Sequence, residues 1–394
     1  MTATSAIAIE VAEPQGESLE ALETPCLIVD GPIYDRNVAR MKDRAKALGV
    51  MLRPHLKTTK STELAAELTV GPDHAATVST LKEARIFAGA GFNDLIYAVG
   101  IAPGKLPDVI ELIRGGCDLK LVLDSVAQAE EVAAASRAGN VAIPALIEID
   151  CDGHRSGVAP GDAETLLAIA RTLCDGGADF RGVLTHAGES YAALGKDAQR
   201  RAAEEERDAV VIAAALLADA DFPCRIVSVG STPTSLAATD LTGVTELRAG
   251  VYSFFDLVMA GIGACTIDDI ALSVLSTVIG HQKDKGWILI DAGWMAMSRD
   301  RGTSKLPVDQ GYGLVCDAEG RPYEDLVLIS ANQEHGVVAI RPGSAAALPE
   351  LEIGDLVRIL PNHACSTAAQ HDRYHFVDGG DGQVTRTVSR FMGW

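Results

Sequence analysis

The sequence predicts an α/β chain: a (β/α)8 barrel of TIM type followed by a smaller β-rich domain. Three observations predict it. From Cys26 to Leu247, short β-branched runs alternate with alanine-rich helical stretches at a period of about 30 residues, the mark of βα units around a parallel sheet. After Ile262 the texture changes to apolar runs separated by Gly, Pro and Asp, which suits hairpins. The length of 394 residues exceeds what one core usually serves, whereas a barrel of roughly 250 residues folds as a unit.

Taken in order, the candidate strands of the first part are 26–30, 50–55, 76–79, 95–99, 119–123, 143–149, 180–185, 226–229 and 246–249. The first can serve as a lead-in, and the remaining eight match a closed barrel. The helices between them are amphipathic; in 162–171 an acidic first turn precedes apolar residues at three- and four-residue spacing. Charge runs such as Glu204-Glu205-Glu206-Arg207-Asp208 are expected to be solvated outer faces. In the second part, strands are expected at 273–280, 287–291, 326–329 and 356–360. The division is then 1–21 as a flexible start able to join the second domain, 22–262 as the barrel, and 263–394 as the β-rich domain.

Composition narrows the function. With 54 acidic against 34 basic residues the net charge is −20, which argues against nucleic acid as a partner, because phosphate backbones are bound by clustered Lys and Arg. A small anionic substrate stays open, since a local basic group can reverse the sign inside a cleft. No apolar stretch reaches the roughly 18 residues of a membrane span. The eight cysteines include no CxxC pair, which favours free thiols in a reducing compartment, and the N-terminus lacks a basic leader. A cytoplasmic protein is expected. A G-x-G-x-x-G or P-loop is absent, which lowers the case for a nucleotide enzyme.

The segment Arg53-Pro54-His55-Leu56-Lys57-Thr58-Thr59-Lys60 follows an apolar run and precedes helical spacing, so Lys57 stands at the C-terminal end of a strand. That end of a parallel barrel carries the chemistry, and a lysine flanked by Arg53, His55 and Lys60 is a candidate Schiff-base former. A solvated basic patch would read the same way. Gly230-Ser231-Thr232-Pro233-Thr234 is a strand-to-helix turn that could hold a phosphate, or simply a loop. His363 and Cys365, two apart on an extended segment, could share one metal ion. Gln333 and Tyr312 lie in glycine-bearing loops suited to substrate or to a neighbouring subunit, or to turn chemistry alone.

Five motifs occur in register: Thr24-Pro25-Cys26-Leu27-Ile28-Val29-Asp30, the Arg53 to Lys60 element, Asp152-Gly153-His154-Arg155-Ser156-Gly157, Gly230 to Thr234, and Pro361-Asn362-His363-Ala364-Cys365. Together they resemble the D-serine dehydratase/D-threonine aldolase family of fold-type III pyridoxal 5′-phosphate (PLP) enzymes. The likeness runs from about Leu22 to Trp394, and Asp291-Ala292-Gly293-Trp294 and Ala331-Asn332-Gln333-Glu334-His335-Gly336 extend it.

The resemblance implies an alanine-racemase-like barrel, PLP on Lys57, and a divalent metal on His363 and Cys365, with zinc favoured by the thiolate and manganese, cobalt or magnesium as substitutes. It places Arg155 near the pyridine nitrogen, making the cofactor a weaker electron sink that gains from metal help. His55, His186, Tyr191, Gly230, Ser231, Thr232, Gly250 and Tyr252 are its other expected cofactor contacts, and a homodimer its expected assembly. The implied reaction is loss of water and ammonia from a D-3-hydroxyamino acid, D-threo-3-hydroxyaspartate or D-serine. Retro-aldol cleavage is the alternative, as is a PLP-binding homeostasis protein without turnover. Two departures count against an aldolase: Ala187 stands where aldolases carry a histidine, and Cys365 where they carry Asp; Thr59 also stands where aldolases often carry His.

Overall fold

The structure, a computed structural model, describes residues 16–379 and 382–394. The first strand, β1 (Cys26–Asp30), leaves the barrel and joins the second sheet, antiparallel to β10 (Leu272–Gln282) and parallel to β16 (Arg373–Val377). Residues 1–15 of the expected flexible start lie outside the described residues. The described remainder is tied to the same sheet, where the Gly16 N–H donates to Val384 O and the Leu19 N–H to Gly382 O.

The eight barrel strands fall where the sequence puts them: β2 (Met51–Leu52), β3 (Ala76–Val78), β4 (Asp94–Gly100), β5 (Asp118–Leu123), β6 (Pro144–Ile149), β7 (Asp179–Thr185), β8 (Ile226–Val229) and β9 (Glu246–Leu247). All pairings are parallel, in the order β2-β9-β8-β7-β6-β5-β4-β3. The ends meet beyond β2, where His55 bridges Thr77 and the Thr77 N–H donates to Pro54 O at 2.8 Å. Closure thus depends on the turn that carries Lys57.

Inward-facing Ile96, Val122, Leu146 and Leu184 fill the middle of the barrel. Below them lies a charged layer: Arg53 donates to Glu246 at 2.8 Å and to Asp94 at 2.7 Å, and Lys120 reaches Asp94 and Asp118. Asp94, Asp118 and Glu246 begin their strands. Arg53 therefore points toward the strands' N-terminal ends, away from Lys57, and the expectation that it would flank the lysine is corrected: a buried arginine next to an apolar layer goes where carboxylates pair it. Glu246→Gln should cost on the order of 3 kcal/mol of stability, because the Arg53 charge loses a buried partner; chemical denaturation measures it.

The second sheet runs β11-β14-β13-β12-β15-β10-β1-β16-β17, and β11 also pairs with β10, which curls it into an antiparallel barrel. Its remaining strands are β11 (Trp287–Ile290), β12 (Gly313–Cys316), β13 (Pro322–Ala331), β14 (Gly336–Ile340), β15 (Leu356–Pro361) and β17 (Val384–Ser389). Tyr374, fully buried on β16, donates its hydroxyl to Thr59 O at 2.8 Å, so this sheet grips the turn after Lys57. Among the described residues, no helix is long and apolar enough to cross a membrane.

Candidate active site

A cavity of about 440 Å³ opens at the C-terminal ends of the barrel strands, between them and the second sheet. It gathers Lys57 and His55 from the turn after β2, Arg155 from the loop after β6, and His186 and Tyr191 from the loop after β7. Gly230, Ser231 and Thr232 follow β8, Gly250 follows β9, and His363 and Cys365 come from the second domain. Three expected contacts lie elsewhere. Tyr252 is fully buried but does not line the cavity: in the 3₁₀ turn Val251–Ser253 neighbouring side chains diverge by about 120°, so Val251 faces the cavity and Tyr252 turns away. Tyr312 lies beneath the Arg301 guanidinium at 4.9 Å, and Gln333 accepts the Met295 N–H with its backbone carbonyl in the connection before β14. Neither reaches the cavity of its own chain.

The lysine's company also differs from expectation. Lys60, with φ 41°, turns its ammonium to Glu83 at 3.2 Å and Gly393 O at 3.0 Å. A buried cation that does line the cavity is Arg248, donating to Ser228 Oγ and Thr185 O. Burial and the positive charges of Lys57 and Arg248 hold His55 well below the usual imidazole range, and His55 Nε2 lies 3.4 Å from Ser79 Oγ. Burial likewise lowers His186 to about 4, and its Nδ1 meets Gly230 O at 2.7 Å. Both rings are neutral near pH 7. Arg155 Nη2 stands 3.7 Å from Glu148 Oε1.

The floor suits a phosphorylated aromatic aldehyde. Thr232 Oγ1 is buried with no hydrogen-bond partner, a donor left open at the cavity wall. A Cβ at Gly250 would meet His55 O at 3.0 Å and Thr58 Oγ1 at 3.2 Å, so glycine lets the loop after β9 pack closely against the turn that carries Lys57. Lys57 supplies the amine. PLP fits these residues: Lys57 for its aldehyde, Thr232 and its neighbours for its phosphate, and Arg155 for its ring nitrogen.

At the opposite wall His363 Nδ1 and Asp300 Oδ2 are 2.8 Å apart, which leaves Nε2 for another partner. Burial alone would lower the His363 pKa, but Asp300 and Cys365 raise it to about 11. Burial opposes ionisation of the Cys365 thiol, yet His363, Lys57 and Thr58 bring its pKa below the ordinary thiol value. Thr58 Oγ1 sits 3.1 Å from Cys365 Sγ. Among the described residues no group of three or more His, Cys, Asp or Glu is arranged to hold a metal. Two donors, an imidazole nitrogen and an ionisable thiol, fit an open metal site with positions left for water and substrate, and the carboxylate behind the imidazole fits the usual support of a ligating histidine. Asp256 holds the segment in place, accepting the Ala364 N–H at 3.0 Å.

Arg248, Asp256, Asp300 and Glu148 were not singled out from the sequence. Period-two alternation in Glu246-Leu247-Arg248 could have flagged an inward arginine, and Ser298-Arg299-Asp300-Arg301 an acid among cations.

A lysine at the mouth of an eight-stranded parallel barrel, facing an unpartnered hydroxyl and roofed by a β domain, defines a fold-type III PLP protein. The family models agree: residues 29–258 match the alanine racemase N-terminal domain, and residues 271–377 a putative serine dehydratase domain. The chain is 53% identical to a D-threo-3-hydroxyaspartate dehydratase from Delftia sp. (strain HT23), over 96% of this chain and all of the relative. It is 28% identical to a D-serine dehydratase from Dictyostelium discoideum, over 96% of this chain and 99% of that one. A solved metal-free form of a cysteine-to-alanine mutant of D-threo-3-hydroxyaspartate dehydratase superposes with a TM-score of 0.91 at 52% identity, covering 96% of this chain and 100% of that chain. The chain belongs to the D-serine dehydratase/D-threonine aldolase family.

Proposed function

We propose that this protein is a PLP- and divalent-metal-dependent dehydratase that converts a D-3-hydroxyamino acid, D-threo-3-hydroxyaspartate or D-serine, to an oxoacid and ammonia. The observation that carries it is the meeting, across one cavity, of the barrel's Lys57 with the second domain's His363 and Cys365, linked through Thr58 and Cys365 at 3.1 Å. The 53% identity to a dehydratase over nearly the whole chain supports it.

PLP joined to Lys57 would supply the electron sink for charge developing at the α carbon. A divalent metal on His363 and Cys365 would supply Lewis-acid help to the departing β-hydroxyl. The Lys57 amine would take the α proton. Arg155, which keeps its own proton, would offer the ring nitrogen a hydrogen bond without protonating it. Asp300 fixes the His363 ring, and neutral His55 and His186 wall the cavity without adding charge. Loss of the α proton and the β-hydroxyl leaves an enamine that tautomerises and hydrolyses to oxoacid and ammonia.

Zinc as the metal, a homodimer and a cytoplasmic setting belong to the same reading. The thiolate supports zinc. All eight cysteines are free thiols, which suits a reducing compartment. In a homodimer, Tyr312 and Gln333 would have a neighbouring chain to serve.

Retro-aldol cleavage has one observation in its favour: if His186 donates through Nδ1 to Gly230 O, its Nε2 is an unprotonated base within the cavity. Elimination needs no base on the β-oxygen, whereas cleavage does; a well-matched base is worth about 10²–10⁴-fold, and His186, lowered to about 4 by burial, is poorly matched to a hydroxyl proton near pH 7. With D-threonine we expect 2-oxobutanoate and ammonia to exceed glycine and acetaldehyde by at least about 10²-fold. Predominant glycine would promote the aldolase, and no turnover of any D-3-hydroxyamino acid in a panel would sink both readings.

A further inference from the structure

We propose that Glu206 is a positioning residue for the phosphate end of the cofactor site, holding two cavity loops in register through a single carboxylate oxygen. The inference rests on reading the cavity as a PLP site. Glu206 projects from the middle of the helix Lys196–Asp219 and is 2% exposed, while Glu204 and Glu205 beside it are exposed. The expectation of a solvated acidic run is thereby corrected for its third member. Its Oε1 accepts the Ala187 N–H at 2.9 Å and the Gly230 N–H at 3.0 Å. Ala187 lies in the loop after β7 and Gly230 in the loop after β8, so one oxygen bridges two separate catalytic loops.

A carboxylate out of water is costly, and among the described residues no lysine or arginine forms an ion pair with it; the opposing charge nearest in effect is Arg248. Burial raises its pKa, opposed by Thr234, the two amides and the more distant Arg248. A stabilising device for the core alone would use an apolar side chain. What this carboxylate secures is the backbone at Gly230. That residue is held on three sides: the N–H by Glu206, the carbonyl by His186 at 2.7 Å, and the Cα against Arg248 O, which a Cβ would meet at 1.9 Å. Its φ of +153° excludes ordinary side chains. Ser231 Oγ then pairs with Ser190 Oγ at 2.8 Å, and the next residue, Thr232, is left with its buried hydroxyl open to the cavity. Glu206 itself does not line the cavity, and acts on the phosphate only through these amides.

The test compares PLP with pyridoxal, which keeps the aldehyde and lacks the phosphate, on protein stripped of cofactor. Glu206→Gln, whose amide oxygen can accept the same two N–H groups without the charge, should weaken PLP by about 10-fold, the difference between a charge-assisted and a neutral hydrogen bond, and leave pyridoxal affinity unchanged. Glu206→Ala should weaken PLP further, since Gln retains one acceptor; if the Ala variant does not fold, the Gln variant carries the test. Equal weakening of PLP and pyridoxal in Glu206→Gln would mean general loosening and overturn the inference, as would undiminished PLP affinity. Failure of the unmodified protein to bind either compound would overturn the cofactor reading together with this one.

Discussion

Lys57→Ala protein should lose the visible absorbance of the Schiff base and turn over at least about 10⁴-fold more slowly, the upper end for removing a positioned base. The reason is that Lys57 is asked to do two jobs, joining the cofactor aldehyde and taking the α proton, and no second amine stands ready. Lys60 is committed to Glu83 and Gly393 O, and Arg248 to Ser228 and Thr185. Borohydride reduction followed by peptide mapping checks the site of attachment. Labelling at any other lysine would falsify the assignment. Because the turn from Pro54 to Thr58 also closes the barrel, the melting temperature of the variant should be compared with the parent, to separate lost chemistry from lost closure.

Removing the metal, by chelator or by Cys365→Ala, should lower turnover by about 10²-fold or more while leaving the absorbance of the bound cofactor in place. The expectation follows from the two walls of the cavity: the residues proposed to hold PLP belong to the barrel, and His363 and Cys365 to the second domain. Added zinc should restore the chelated protein and not the variant. Metal analysis of His363→Ala should show the same depletion, with a smaller loss in Asp300→Asn, which keeps a hydrogen-bond partner for the imidazole but not its charge. Full activity in metal-free protein would remove the metal from the reaction.

The barrel was legible because each buried parallel strand is a compact β-branched run between helices, a pattern that survives without tertiary information. The meeting of Lys57, Thr232 and the pair His363 and Cys365 at one cavity was legible because these residues sit at strand ends or on an extended segment, where position in the chain fixes position in space. The rest failed for definable reasons. Gly313–Cys316 and Gly336–Ile340 are short and glycine-led, and Arg373–Val377 mixes Arg and His with aromatics, so no period announces a strand. Arg53 reads like its neighbours but is claimed by Glu246 and Asp94, which lie 193 and 41 residues along the chain. Glu206 is one glutamate in a run of three, and only the packing of its helix against β7 and β8 decides which is buried. Tyr252 was misplaced by the phase of one short turn.

The placement of β1 between β10 and β16 has a consequence for how the molecule is made on the ribosome. The first strand to emerge has neither neighbour until the chain has reached residue 272 on one side and residue 373 on the other. The parallel barrel, whose partners all lie between, can close meanwhile. Synthesis is vectorial, so the half holding Lys57 is complete while the half holding His363 and Cys365 is still being made. An expression fragment stopping after the barrel would carry an orphaned apolar strand at its start, and one beginning after the barrel would lack the strand that joins β10 to β16.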